Sequence, residues 1–417
     1  MQDNMKSNLD RQFARFGLLV SLLCVPCASV VNSAAQDFKT IHDGVEYAEV
    51  NRKLGDDPVK INLLRLDLTK VRLDVHHAMN AAIGTEKTSS IATRHGAVAA
   101  INAGFFRLDK SAFAGDTIGT LAIDSVLQSE NVNGRITLLL ASYKKVTSVL
   151  FGHFNSSISI STNDDTTPNS IKVSGINREL REEEIVLYTN FFGKPVSTNI
   201  AGVVGLSLSG CRNDHTKGAF ELPFVACRSL ETVNDSKEYA VPKGGFLLLI
   251  GTRAIERAQP LLKKSRALTG SKKKLRVGLF VKFWEGGNEL LIDKETDMIA
   301  GVPQLIKNGK IDITWEQEKA SKSFVETRHP RTAVAKLKDG KFLMITVDGR
   351  QPGVSVGMNL NELAEYLLGL GAVDAMNLDG GGSTTMFLDG KVVNHPSDKE
   401  GERKVSDAIL VTLRKKK

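Results

Sequence analysis

The chain has 417 residues, 41% of them hydrophobic and 24% charged. That balance excludes a disordered polypeptide, and the length fits one large domain or two ordinary ones. The formal net charge is +8. Part of the excess sits in Lys272-Lys273-Lys274 and in Arg414-Lys415-Lys416-Lys417, runs that ordinarily form a solvated loop and tail or attract an anionic partner. No basic cluster is interleaved with aromatics, so nucleic acid is not an expected partner.

Residues 1–35 read as an export signal. Arg11 and Arg15 precede an apolar run from Phe16 to Val31, and the small residues Ser33-Ala34-Ala35 follow. Cleavage is expected before Gln36. Pro26 interrupts the run, which is shorter than the ~20 residues a membrane span needs. The expectation is a secreted or otherwise extracytoplasmic protein without a stable membrane span. Cys24 and Cys27 would leave with the signal. The remaining pair, Cys211 and Cys227, is expected to form a local disulfide.

Residues 36–94 read as a β lead-in. Val45–Val50 and Val59–Leu66 are strands. Val71–His77 alternates, with Val71, Leu73 and Val75 on one face. His76 and His77 are neighbours on a strand and point to opposite faces, so they do not serve one metal. Thr88–His95 reads as a short helix. Val98–Asn102 is a small-residue strand that runs into Ala103-Gly104-Phe105-Phe106, and Asn102 needs partners if buried. From 131 to 300 the pattern is β-rich. It holds no density of chemistry-bearing residues and reads as an embellishment of a catalytic domain spanning 95–413.

The chemistry-bearing residues lie further on. Arg331 precedes the strand Ala333–Leu337 and could clamp a phosphate through a bidentate contact; the structural alternative is a salt bridge. Leu343–Val347 is a buried strand ending in Asp348-Gly349-Arg350. Asn359 and Glu362 form a capping box for a helix carrying Leu360, Leu363, Ala364, Leu367 and Leu368 at helical spacing. A second strand, Asp374–Leu378, ends in Asp379. The order strand, helix, strand predicts a β–α–β unit with parallel strands. The expected fold class is α/β, or mixed α+β: a mixed, largely antiparallel sheet with that unit ending at the site. Ligands bind at the carboxyl ends of such strands, which would bring Asp348 and Asp379 to one cleft.

After Asp379 come Gly380-Gly381-Gly382 and then Ser383-Thr384-Thr385. Three glycines let backbone amides approach a ligand that side chains would keep out. Asp389-Gly390 reads as a two-residue hairpin turn. Asn394, Ser397 and Arg403 are polar and close by in sequence. His395 is a candidate base, with a surface imidazole as its alternative. Paired carboxylates suit glycosyl chemistry; they also suit Mg²⁺ or Ca²⁺.

Several of these pieces, in order over residues 95–413, resemble the phosphodiester glycosidase family. They are Ala100–Phe106, Arg331-Thr332-Ala333, Val347–Arg350, Val356–Met358, Gly371–Thr385, Asn394 with Pro396-Ser397-Asp398, and Arg403 with Val405-Ser406-Asp407. The resemblance implies hydrolysis of a sugar 1-phosphodiester, such as an N-acetylglucosamine-1-phosphodiester, at the anomeric C–O bond. It implies Asp348 and Asp379 as catalytic residues. Asn102, Arg331, Thr332, Gly380, Gly381, Gly382, Ser383, Thr384, Asn394 and Arg403 would bind the sugar-phosphate or glycan substrate. No cofactor is called for, although the residues leave room for a bound Ca²⁺ or Mg²⁺ ion. The alternatives are a non-catalytic glycan- or wall-binding protein and a metal-dependent phosphodiesterase.

Overall fold

The computed structural model describes residues 36–414, except 144, 163–169, 210–211, 214–224, 228, 235–236, 269–274 and 291–294. The expected signal, Cys211 of the expected disulfide and the lysine run 272–274 lie outside the described residues.

The described chain is mostly antiparallel strand. The largest sheet has eight strands in the order Lys39–His42, Val45–Leu54, Asp57–Leu66, Phe342–Val347, Arg331–Leu337, Ala372–Asn377, Gln304–Lys307, Lys310–Ile311. Successive side chains in a strand point to opposite faces. In Asp57–Leu66, Ile61 and Leu63 therefore enter one core, and Leu64 and Leu66 enter another. Burial on both faces explains why Phe342–Val347 reads as a continuous apolar run.

One face is covered by the helix Leu360–Gly369. Asn359 and Glu362 close the capping box at its start, and Leu360, Leu363, Ala364 and Leu367 pack on Ile61, Ala335 and Ile345. The other face shares a core with two five-stranded sheets. The first runs Lys391–Val392, Met386–Leu388, Ala99–Asn102, Asp407–Leu413, Val71–His77. The second runs Val146–Gly152, Thr137–Tyr143, Thr296–Ala300, Leu121–Ile123, Val126–Ser129. Asp389 and Gly390 both have positive φ, 47° and 81°, as a two-residue hairpin turn of the expected kind requires. Two further sheets are built mainly from residues 155–285, around Ile158, Ile160, Leu206, Leu248 and Ile250.

The α/β expectation gives way to a β-rich fold. Phe342–Val347 and Ala372–Asn377 do follow each other across a helix, but they are not neighbours. Arg331–Leu337 fills the slot between them and is antiparallel to both. The two strands are thus parallel in direction and share no hydrogen bonds. The helix spans a sheet whose actual pairings are antiparallel.

Candidate active site

Asp379 lies where the eight-stranded sheet meets the sheet containing Ala99–Asn102. Asn102 joins the pieces. Its Oδ1 accepts hydrogen bonds from Thr332 Oγ1 (2.8 Å) and the Thr385 amide (3.0 Å), and its Nδ2 donates to the Asp379 carbonyl (2.6 Å). The Asp379 amide donates to Ala103 O (2.8 Å). A buried amide side chain is stable only when so satisfied.

Beyond this junction opens a pocket of about 280 Å³. Its walls are Asp379, Gly380, Gly381, Gly382, Arg331, Arg350, Arg403, His329 and Phe324. Two glycines make room for the arginines. Gly381 has φ +61°, and a Cβ there would lie 2.9 Å from Arg350 Nη2. A Cβ on Gly382 would lie 2.2 Å from both Arg403 Nη2 and Asp398 Oδ1. Larger residues would force the cations out of the pocket wall.

The three arginines differ in how they are held. Arg403 is clamped by Asp398, with Nε–Oδ2 2.7 Å and Nη2–Oδ1 3.0 Å. Arg331 is 1% exposed. It donates to the carbonyls of Met358 (2.9 Å), Phe324 (2.8 Å) and Thr327 (2.8 Å), and its guanidinium lies 5.0 Å from the Phe324 ring centre. Burial, then the Arg350 charge, bring it down to about 10, so it stays charged at neutral pH. Arg350 is exposed and meets His329 Nδ1 at 3.4 Å. Neither Arg331 nor Arg350 has a carboxylate at salt-bridge distance among the described residues. His329 is pulled down by burial, then by Arg331 and Arg350, and is neutral at pH 7. Burial pushes the Asp379 carboxyl up to about 7, against the Ser383 hydroxyl, the Arg403 charge and the Gly380 amide. Ser383 Oγ lies near that carboxyl but outside hydrogen-bond geometry, and Thr384 Oγ1 is likewise buried without a partner. The pocket is therefore cationic around one carboxyl that holds its proton readily. This suits an anion with a bond to be broken beside it.

Residues 234–412 match the model of the phosphodiester glycosidase family. The family resemblance carried by the sequence motifs therefore holds, and every pocket residue falls inside the match. The chain is 38% identical over 122 residues to the N-acetylglucosamine-1-phosphodiester alpha-N-acetylglucosaminidase of Bos taurus, covering 26% of this chain and 23% of that protein. It spans about a quarter of the length of the curated relatives it matches. Two solved structures share the fold. A Synechocystis protein superposes with TM-score 0.67 at 20% identity, over 91% of this chain and 64% of that one. A Burkholderia pseudomallei protein superposes with TM-score 0.65 at 21% identity, over 85% and 74%.

Of the residues this phosphodiester glycosidase resemblance singles out, Asp379, Arg331, Gly380, Gly381, Gly382 and Arg403 line the pocket. Asp348 does not. It is 2% exposed, and its Oδ1 accepts from Asn394 Nδ2 (3.2 Å) and the His395 amide (3.0 Å). Burial raises its carboxyl, and those two donors hold it back. Asn394 is equally committed, donating to Thr384 O (3.1 Å) and accepting from the Met386 amide (2.7 Å). Asn102 and Thr332 bond each other behind the wall, and Ser383 and Thr384 are buried there. His395 is exposed and lines no part of the pocket. Two glycine amides are also engaged: that of Gly381 donates to Pro330 O (2.9 Å), and that of Gly380 steadies Asp379. Among the described residues no group of three His, Cys, Asp or Glu could hold a metal.

The sequence reading did not assign Arg350, His329 and Phe324 to the site. Arg350 had a signal in its place directly after the strand-ending Asp348-Gly349. Its φ of 61° is uncommon for a non-glycine residue and turns the chain toward the pocket.

Proposed function

We propose that this chain hydrolyses a sugar 1-phosphodiester at the anomeric C–O bond, giving a free sugar and a phosphomonoester. The observation that carries the reading is the pairing of Asp379, whose carboxyl is held near neutrality, with three converging arginines in one small pocket. Arg350 and Arg403 hold the phosphate, and Arg331 adds its charge from behind. As the C–O bond breaks, its electron pair stays on the phosphate oxygen, and Asp379 gives that oxygen its proton. Water adds to the anomeric carbon and releases a proton to solvent, from which Asp379 is reprotonated. Asp348 acts at a distance by fixing Asn394 and the backbone of His395.

An N-acetylglucosamine-type sugar is the first substrate to try, because the mammalian relatives carry that sugar in their names. The leader-like residues 1–35 support an extracytoplasmic setting. No helix among the described residues is long and apolar enough to cross a membrane.

The test is turnover of methyl N-acetyl-α-glucosaminyl phosphate in ¹⁸O-water, with the label located by mass spectrometry. Label in the sugar is expected. Label in the phosphate would mean P–O cleavage and would replace this reading with a phosphodiesterase.

A further inference from the structure

Next to the arginines the pocket has a second kind of wall. Phe324 is half-buried on its lining, and its ring meets Phe105 edge-on with centres 6.0 Å apart. Phe105 is also half-buried. It lies two residues beyond Ala103, whose carbonyl takes the Asp379 amide (2.8 Å). The Arg135 guanidinium lies 5.4 Å from the Phe105 ring centre. One Arg135 nitrogen, Nη1, donates to Ile118 O (2.7 Å), while Nε is buried with no partner. Burial lowers the Arg135 guanidinium, and the charges of Glu318 and then of Asp379 hold it back. One aromatic ring, Phe324, thus lines the pocket with Asp379, Phe105 packs against that ring, and the unpartnered Arg135 Nε lies by Phe105, apart from the three arginines of the lining.

A pyranose presents a patch of C–H groups on each face and hydroxyls around its rim. Aromatic rings pack on the first, and an orphaned donor needs the second. Resting on the glycosidase reading, we infer that Phe105, Phe324 and Arg135 form the subsite for the sugar ring. The rings seat its C–H face, and Arg135 Nε–H donates to a ring substituent. Asp379 then stands beside both subsites, where the anomeric C–O bond would lie. These residues determine sugar specificity, while Arg350 and Arg403 determine the requirement for phosphate.

The test uses the full chain and two separate probes, N-acetylglucosamine alone and methyl phosphate alone, titrated by NMR. Phe105→Leu, Phe324→Leu and Arg135→Lys are compared with the wild type, with thermal melting as the folding control. Each folded variant is expected to lose about tenfold in sugar affinity and to keep methyl phosphate affinity within about twofold. Arg350→Gln is expected to do the reverse. Unchanged sugar affinity in both folded Phe variants would overturn the inference. So would a wild type that binds methyl phosphate but not the sugar. The ¹⁸O experiment separates the two claims. Label in the sugar with sugar affinity unchanged in the Phe105, Phe324 and Arg135 variants defeats the sugar subsite alone. Label in the phosphate with sugar affinity lost in those variants defeats the glycosidase reading and leaves the sugar subsite standing.

Discussion

Residues 146–290 and the segments on either side of them bury different things. In 146–290 the interior is mainly apolar: Ile158, Ile160, Leu206, Leu248, Leu249 and Ile250 fill the cores, beside a few uncharged polar side chains such as Asn177 and Ser265. One arginine of this region, Arg178, is neutralised between Glu130 and Glu184. The flanking segments instead bury Asn102, Arg331, Asp348 and Asp407 at 2% exposure or less. Burying such groups costs free energy unless each is bonded. Each is bonded: Asn102 to Thr332 and Thr385, Arg331 to three backbone carbonyls, Asp348 to Asn394, and Asp407 to Thr117 and the Gly104 amide. The pocket is lined by one of the four, Arg331. Both regions bury apolar cores, but among the described residues the buried Asp, Glu, His and Arg side chains lie outside 146–290, in the flanking segments, which also hold the pocket.

The largest effect expected from this contrast is at Asp379. Asp379→Asn should lower turnover by about 10²–10⁴-fold in a chain that still folds. The same variant carries a stability signature. The folded carboxyl titrates at about 7, above its ordinary value of 3.8. Its stabilising effect is therefore complete below about pH 4 and is lost as the pH rises through 7. Asn does not titrate, so the melting temperature of Asp379→Asn relative to wild type should improve from pH 4 to pH 8. A constant difference would show that the Asp379 carboxyl is not raised in the folded chain. As the proton donor, Asp379 should also make kcat/KM fall above about pH 7, and this limb should vanish in the variant.

Arg350→Ala should lower kcat/KM by about 10- to 100-fold, the worth of a charge-assisted contact, with almost no change in melting because the side chain is exposed. Equal losses of activity and stability would recast Arg350 as structural. In the other region, Leu249→Ala should cost about 2–5 kcal/mol of stability and leave kcat and KM within about twofold below its melting point. Loss of activity in that folded variant would break the contrast. The smallest effect is expected from Lys194→Ala, on the rim of a separate 530 Å³ cleft beside Asn190 and Lys243. Both turnover and stability should be unchanged within error.

Local chemistry was legible in the sequence where it is self-contained. The Asn359–Glu362 capping box, the Asp389-Gly390 turn and the strand Val71–His77 are set by neighbours within a few residues. The alternation there also separated the histidines: His77 is buried against Ala78 O and Gly115 O, and His76 stacks on His95 at 3.7 Å. Strand order was not legible, because the strand Arg331–Leu337 takes its slot through pairings with residues far along the chain. The same limit separates Asp348 from Asp379. Each follows an apolar strand before glycine, and only packing decides which carboxylate faces the pocket and which is captured by Asn394. Phe324 and Phe105 lie on distant segments, and their contact exists only in the folded chain.

The carboxamide of Asn102 has a consequence for motion. One side chain ties Thr332, Thr385 and the Asp379 carbonyl together, so the floor of the pocket has no hinge of its own. Its amide protons should exchange with solvent only when the two sheets part, on the timescale of global opening. The pocket therefore behaves as a preformed mould: a ligand is selected by whether it fits, and little binding free energy is lost in ordering the floor around it.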